Sequence, residues 1–206
     1  MTELQNKGRG ITGWLIGPYR NYLQKLIPIF QLCSLLFTFS VGMGFLLGNR
    51  LPQTALQDLM GTFPDISNMN SFDLFSFILV NNALKSLLFM AGGILAGVPP
   101  LFFVVFNGFF IGWISYMLYS LEGIEYLVAG LAPHGVIEVP VIILCMAMGM
   151  GLGYEVLNRL RGRGELGKEA RLAFGFFITR ALPLLVLAAV IEVKVTPFIL
   201  MQLGYV

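Results

Sequence analysis

The chain has 206 residues, of which 57% are hydrophobic and 12% are charged, and its mean hydropathy is +0.81. Soluble domains carry about 25% charged residues, because they must cover an apolar core with polar surface. This composition excludes an ordinary soluble globule and indicates an integral membrane protein. The formal net charge of +2 says little by itself. We expect the lipid bilayer as a partner and no nucleic acid.

Residues 1–26 precede the first long apolar run and contain Trp14, Tyr19 and Tyr22 among basic residues. Aromatic rings beside basic side chains are typical of a segment that lies on the cytoplasmic membrane surface. An irregular lead-in is the alternative, because Gly17-Pro18 favours a break. This region has no compact apolar core followed by a small-residue cleavage site, so we expect no cleaved signal peptide.

Five apolar segments are long enough for a bilayer-spanning helix, which needs about 20 mostly apolar residues. They lie at about residues 27–48, 74–96, 100–120, 133–153 and 172–191. The sequence therefore predicts an all-α integral membrane protein, a bundle of about five transmembrane helices. Residues 27–206 would form a single transmembrane domain.

The distribution of lysine and arginine predicts the orientation of these spans. Basic residues cluster before the first span and between the fourth and fifth, at Lys7, Arg9, Arg20, Lys25, Arg159, Arg161, Arg163, Lys168 and Arg171. The loop at 49–73 has one arginine and three aspartates, and the turn at 121–126 has only two glutamates as charges. Because short basic loops stay in the cytoplasm, we expect a cytoplasmic N-terminus and an outside C-terminus.

Each of the first four spans carries a glycine pair with GxxxG spacing: Gly44 and Gly48, Gly93 and Gly97, Gly108 and Gly112, Gly149 and Gly153. Such pairs let two helix backbones approach closely. They predict a compact bundle. The sequence leaves open whether a pair faces a neighbour in the same chain or a second copy in a homo-oligomer.

Polar side chains inside the predicted spans are the informative positions, because a charge at the centre of a span costs about 2.5–3.5 kcal/mol. They are Asn81, Asn82, Lys85, Asn107, Glu138 and Arg180, with His134 at the start of the fourth span. At a rise of 1.5 Å per residue, Asn81 and Glu138 lie at similar depths, about 10 Å and about 8 Å below the outer edge. We predict that Glu138 lies within reach of the Asn81–Lys85 face, with Arg180 as a second candidate partner.

His134 and Glu138 belong to the stretch LAPHGVIEVP, residues 131–140. Their spacing of four residues places both side chains on one helix face. Pro133 suits the first turn of a helix. Pro140 lacks a backbone N–H donor, and we expect this loss to bend the helix there. The residues from Glu122 to Pro133 leave room for a re-entrant or interfacial piece before the fourth span.

The polar cluster has a structural and a functional interpretation. It either locks the bundle through buried hydrogen bonds, or it receives a partner or a transported species. No nucleophile or phosphate loop accompanies His134 and Glu138, so we predict no catalytic residues and no enzyme. The cysteines, Cys33 and Cys145, lie in apolar runs and indicate buried thiols. We expect no metal site and no cofactor.

Two stretches carry a family resemblance. NNALKSLLFMAGGILAGVPPLFFVVFNGFFIGW, followed by LAPHGVIEVPVIILCMAMGMGLG, resembles the stage II sporulation protein M family of multi-pass membrane proteins over about residues 74–191. The PHGxxExP motif is its most specific part. The positions that match the family's motifs are Asn81, Asn82, Asn107, His134, Glu138 and Pro140.

This resemblance implies a function as well as a fold. In sporulating bacteria the family member is a membrane scaffold that works with peptidoglycan-degrading partners during engulfment. Many relatives, including archaeal ones, come from organisms that do not sporulate. The resemblance therefore implies a non-enzymatic membrane scaffold or assembly factor with an unidentified membrane-protein partner. The alternative is a small channel or transporter that uses Glu138, Lys85 and Arg180, for which an oligomer would be needed because five helices enclose little space.

Overall fold

A computed structural model describes residues 19–51, residue 54 and residues 69–205 of the chain. Within these ranges the regular secondary structure is helical. The α-helices are α1 (Arg20–Leu47), α2 (Ser71–Gly92), α3 (Val98–Leu160), α4 (Leu166–Phe176), α5 (Leu182–Val190) and α6 (Thr196–Gln202). The all-α prediction is thus confirmed. The predicted surface segment falls mostly outside the described residues, and α1 begins at Arg20, before the predicted span.

Four helical stretches are long and apolar enough to cross a membrane: Arg20–Arg50, Ser71–Gly92, Val98–Leu160 and Leu166–Gln202. The third of these has 63 residues and contains both the third and the fourth predicted spans. It is interrupted at Gly123, whose φ of 87° and ψ of −179° are not helical. The number of crossings, about five, stays a prediction.

The chain reverses direction at Gly123. Phe103 and Ile142 line the same cavity, although they lie on opposite sides of this glycine. In a straight helix at 1.5 Å per residue, they would be almost 60 Å apart. The left-handed φ at Gly123 is a conformation that glycine adopts without the steric cost of a Cβ. The two halves of α3, 98–122 and 124–160, therefore pack as a hairpin.

Two expectations for the region before the fourth span are wrong. Residues 124–132 do not form a separate piece, because helix continues through them into residue 133 and beyond. Their place relative to the membrane surface stays a prediction. Pro133 lies inside the helix, as does Pro140, rather than in its first turn. The physical reason is that the helix is broken at Gly123 and not at residue 133. Pro133 therefore lies in the helix interior, where its missing N–H removes one backbone hydrogen bond.

The second half of α3 is the central helix of the bundle. Five of its side chains are fully buried: Cys145, Met146, Ala147, Met148 and Leu152. A helix buried on all sides lies at the centre of its neighbours. Cys33 of α1 is buried as well, and neither cysteine is in a disulfide, as the sequence predicted.

The glycine pairs make contacts within the chain. Gly44 of α1 packs against the backbone of Phe109 in α3, and Gly112 of α3 packs against the backbone of Val41 in α1. At the other end of the bundle, Gly93 meets the backbone of Gly149, and Gly153 meets that of Gly97. These faces are therefore used inside one chain, and a homo-oligomer stays a prediction that needs other surfaces.

The last helical stretch runs from Leu166 to Gln202 through two π-helical segments, Phe177–Ala181 and Ile191–Val195. Each segment is followed at once by a proline near the start of the next α-helix, Pro183 in α5 and Pro197 in α6. Proline lacks the N–H that an α-helix needs at that position. The wider π turn accommodates the missing proline N–H. It also changes the direction in which the side chains of the π-helical segment point.

Candidate functional site

The predicted polar residues surround one cavity of about 340 Å³ between α1, α2 and both halves of α3. Its polar lining consists of Asn81, Asn82, Lys85, Ser86, Asn107 and Glu138. Aromatic and aliphatic side chains, such as Phe37, Phe77 and Ile142, complete the wall. Glu138 thus shares one space with the Asn81–Lys85 face, and its hydrogen-bonding reach to that face stays a prediction. The cavity is a site of hydrogen-bonding groups enclosed by apolar surface.

Helix α2 presents two unlike faces. Val80, Leu84 and Leu88 are exposed on the outside of the bundle, whereas Asn81 and Lys85 face the cavity. The Asn81 amide nitrogen donates to the Asn82 side-chain oxygen at 3.3 Å. An amide that faces lipid has no hydrogen-bond partner there. The polar residues of α2 therefore face the bundle interior, and its aliphatic residues face outward.

The cavity is blind toward the end of the bundle that contains the Leu160–Leu166 connection, hereafter the basic end. Directly below the polar lining, the Phe89 and Phe103 rings pack with centroids 4.2 Å apart. Met90 is fully buried one turn after Ser86. Gly93 and Gly149 then bring the two helix backbones into contact. Among the described residues, this apolar and backbone packing separates the cavity from the basic end along α2.

His134 and Glu138 share one helix face, as predicted, and the structure adds a third residue to them. Glu192 lies in the second π-helical segment and contributes a carboxylate. One potential ligand atom from each of the three residues lies within 4.8 Å of the other two. All three side chains are half-buried. Glu138 lines the cavity and also belongs to this triad, so the two sites are neighbours.

Arg180 lies beside the start of α1. Its guanidinium carbon is 5.8 Å from the centroid of the Tyr19 ring. Its Nη1 donates to the Thr179 carbonyl at 2.8 Å, and Tyr19 and Thr179 join their hydroxyls at 3.2 Å. That carbonyl is the one that residue 183 would bond in an α-helix, and residue 183 is proline. This placement favours a structural role for Arg180.

A cluster at the basic end was not predicted as a site. The Lys25 ammonium donates to Glu155 at 2.8 Å and to Glu169 at 3.0 Å, which ties α1 to α3 and α4. Both glutamates are buried, and Glu155 also accepts from the backbone N–H of Glu165 at 3.1 Å. Glu155 lies beyond the predicted fourth span, and the hydrogen bond from Lys25 holds the pKa of its carboxyl below the ordinary value.

The sequence profile of one family, stage II sporulation protein M, matches residues 33–197. The chain belongs to the stage II sporulation protein M family. The match begins earlier than the resemblance at residues 74–191, so it also includes about half of α1. No solved structure matches the chain.

A relative within the stage II sporulation protein M family is an archaeal protein from Methanocaldococcus jannaschii, described as uncharacterised. It is 31% identical over 174 residues, which are 83% of this chain and 94% of the relative. The similarity therefore extends over nearly the whole of the relative and concerns the bundle as a unit. Membership of this family and the long apolar helices identify a membrane protein.

The residues that match the stage II sporulation protein M motifs are gathered in space. Asn81, Asn82, Asn107 and Glu138 all line the cavity. His134 lies one helical turn from Glu138 on the same face. The triad partner Glu192 was missed because it follows the predicted fifth span directly, where an acid has little cost. A search for carboxylates just beyond span ends would have found it.

Proposed function

We propose that the protein is a non-enzymatic membrane scaffold or assembly factor, which holds a membrane-protein partner through the polar cavity between α2 and α3. The blind shape of the cavity carries this proposal. Three asparagines offer amide donors and acceptors, and Glu138 and Lys85 offer charges, around one space. The packing of Phe89 on Phe103 and of Gly93 on Gly149 lies between this space and the basic end. A partner helix that brings a polar group could form hydrogen bonds with these side chains without passing through the bundle.

The cavity lining supports a binding role over a catalytic one. Among the described residues, the buried hydroxyl of Ser86 has no hydrogen-bond partner, so no base is placed to activate it as a nucleophile. An acid–base pair without an accessible nucleophile or an oxyanion site does not form a hydrolytic centre. We therefore infer that the polar residues contact a partner and do not carry out a reaction.

Transport is the second candidate, because Glu138 and Lys85 are ionisable groups within an apolar bundle. Such residues mark ion and substrate pathways in many carriers. A carrier would need a second conformation in which the packing of Gly93 against Gly149 opens. Backbone contacts of this kind do not yield to a side-chain rotation, which favours the scaffold.

Site-specific photocrosslinking in native membranes tests the scaffold. A photoreactive amino acid placed at Asn81 or Asn107 faces the cavity, whereas one at Val80 or Phe106 faces outward and serves as the matched control. We expect a discrete protein adduct from the cavity positions and diffuse lipid adducts from the outward positions. The same protein adduct from all four positions, or lipid adducts alone, would contradict a cavity-bound partner.

A flux measurement separates the two candidates. Purified protein in liposomes should conduct neither protons nor small ions above the empty-liposome rate. Flux through the wild type that disappears in a well-folded Glu138→Gln variant would replace the scaffold with a transporter. The variant keeps the size of the side chain and its hydrogen bonding but removes its charge.

A further inference from the structure

We propose that His134, Glu138 and Glu192 bind a divalent transition-metal cation. This inference goes beyond the scaffold role and does not depend on it. His134 and Glu138 come from one face of α3, and Glu192 comes from the π-helical segment Ile191–Val195 packed beside it. The site therefore joins the central helix to the C-terminal helical stretch.

The geometry is close to that of a metal site. One ligand atom from each of the three residues lies within 4.8 Å of the others. Metal–nitrogen and metal–oxygen bonds of about 2.0–2.2 Å place tetrahedral ligand atoms roughly 3.3–3.6 Å apart. Closing the difference of about 1 Å requires only rotation of two glutamate side chains, whose terminal torsions are broad.

The donor set selects the class of cation. One imidazole nitrogen with two carboxylates suits Zn²⁺, Mn²⁺ or Fe²⁺, whereas Mg²⁺ and Ca²⁺ prefer oxygen ligands alone. Three protein ligands leave a coordination position open for water or for a group from a partner. The site lies beside the cavity through Glu138, so such a group could come from a molecule bound there.

Electrostatics and hydrogen bonding support the same assignment. Two carboxylates within this distance repel each other in a half-buried position, and a divalent cation cancels their charge. In addition, Nδ1 of His134 is buried and has no hydrogen-bond partner among the described residues. A buried polar atom that lacks a partner needs a physical explanation, and coordination of a cation is one.

The composition of the chain simplifies a test of metal binding. His134 is the only histidine in the chain, so protein purified without a histidine tag contains one imidazole ligand. The protein is stripped with a chelator in detergent and titrated with Zn²⁺. We expect one bound Zn²⁺ per chain, and a Zn²⁺-dependent rise in the thermal unfolding midpoint, because a ligand of the folded state stabilises it.

Variants assign the ligands. Glu192→Gln and His134→Gln should each weaken Zn²⁺ binding at least about tenfold and abolish the thermal shift. Glu125→Gln is the matched control, since it removes an acid on the same half of α3 outside the triad, and should bind like the wild type. If Glu192→Gln binds Zn²⁺ as tightly as the wild type, or if the wild type binds none, the proposal is wrong.

A second readout does not depend on the variants folding. The single imidazole of the wild type gives a single set of nitrogen NMR signals. Zn²⁺ at one equivalent should shift them, and excess Mg²⁺ should not. If Zn²⁺ leaves the imidazole signals unchanged, or if Lys85→Met alone eliminates binding, the cation does not sit on this triad.

Discussion

Replacing Gly44 with alanine tests the contact that holds α1 against α3. A Cβ at this position would collide with the carbonyl oxygen of Phe109, and would lie 2.9 Å from its carbonyl carbon and 3.0 Å from the backbone nitrogen of Trp113. All three are backbone atoms, so no side chain can rotate away and the helices must separate. Overpacking costs about 1–3 kcal/mol, and this case belongs at the upper end.

The alanine also has a favourable effect that must be subtracted. In a helix it is more stable than glycine by about 0.5–1 kcal/mol. The expected net loss for Gly44→Ala is therefore about 2 kcal/mol of unfolding free energy. Gly42→Ala is the matched control, because Gly42 lies in the same helix with no atom within 4 Å of its ideal Cβ. It should be neutral or up to about 1 kcal/mol more stable than the wild type.

The measurement is reversible unfolding of both variants in mixed micelles, with the free energies compared under one condition. The two should differ by about 2–3 kcal/mol. A difference below about 0.5 kcal/mol, the size of an ordinary surface substitution, would mean that α1 and α3 are not in backbone contact. Equal destabilisation of both variants would refute the packing argument as well, since it would implicate the flexibility of α1 instead.

Three further predictions use other parts of the bundle. In metal-free protein, Glu138→Gln should cost about 1–3 kcal/mol of unfolding free energy and Glu138→Leu more, and the reverse order would contradict a hydrogen-bonding role. Lys25→Met should cost about 1–2 kcal/mol at pH 7, less than the loss of a fully buried pair because the Lys25 side chain is 47% exposed. Because the folded-state pKa of Glu155 is lowered, its stabilisation is present above the ordinary value of 4.5 and is lost as pH falls through the lowered value. The gap between wild type and Lys25→Met should therefore narrow in acid, and a gap that widens would exclude this linkage. Cysteine labelling should find position 67 outside and position 163 inside, and the opposite pattern would overturn the predicted orientation.

The positions of the helices and the polar residues that line the cavity could be predicted from the sequence. Both depend on free-energy costs that each helix incurs by itself in the membrane. A spanning helix needs a minimum apolar length, and polar groups inside it must face one another. Asn81, Lys85 and Glu138 follow from these two rules alone. The close approach of glycine faces was predictable for the same reason, since the spacing is a property of one helix.

The pairing of helix faces, and the single residue at which the chain reverses within the predicted turn at 121–126, could not be predicted, because they are properties of the tertiary structure. Nothing in the spacing of Gly44 indicates Phe109 as its neighbour. Pro133 carried the stronger local signal for a helix start, yet Gly123 makes the turn, since only the packed hairpin requires its left-handed φ. Glu155, Glu169 and Glu192 lie at or beyond span ends, where a charge is inexpensive, and their sequence neighbours do not reveal that they meet other helices.

The reversal at Gly123 also constrains how the chain enters the membrane. One non-helical residue joins the two halves of α3. No loop between them is long enough to stay on one side of the membrane while the other half crosses it. If the first half crossed alone, Ile124 and the apolar residues after it would be drawn into water on the far side. If both halves cross the bilayer, we expect them to leave the translocation machinery together as a helical pair, and a hydrophilic insertion after Gly123 should uncouple their entry and slow membrane integration.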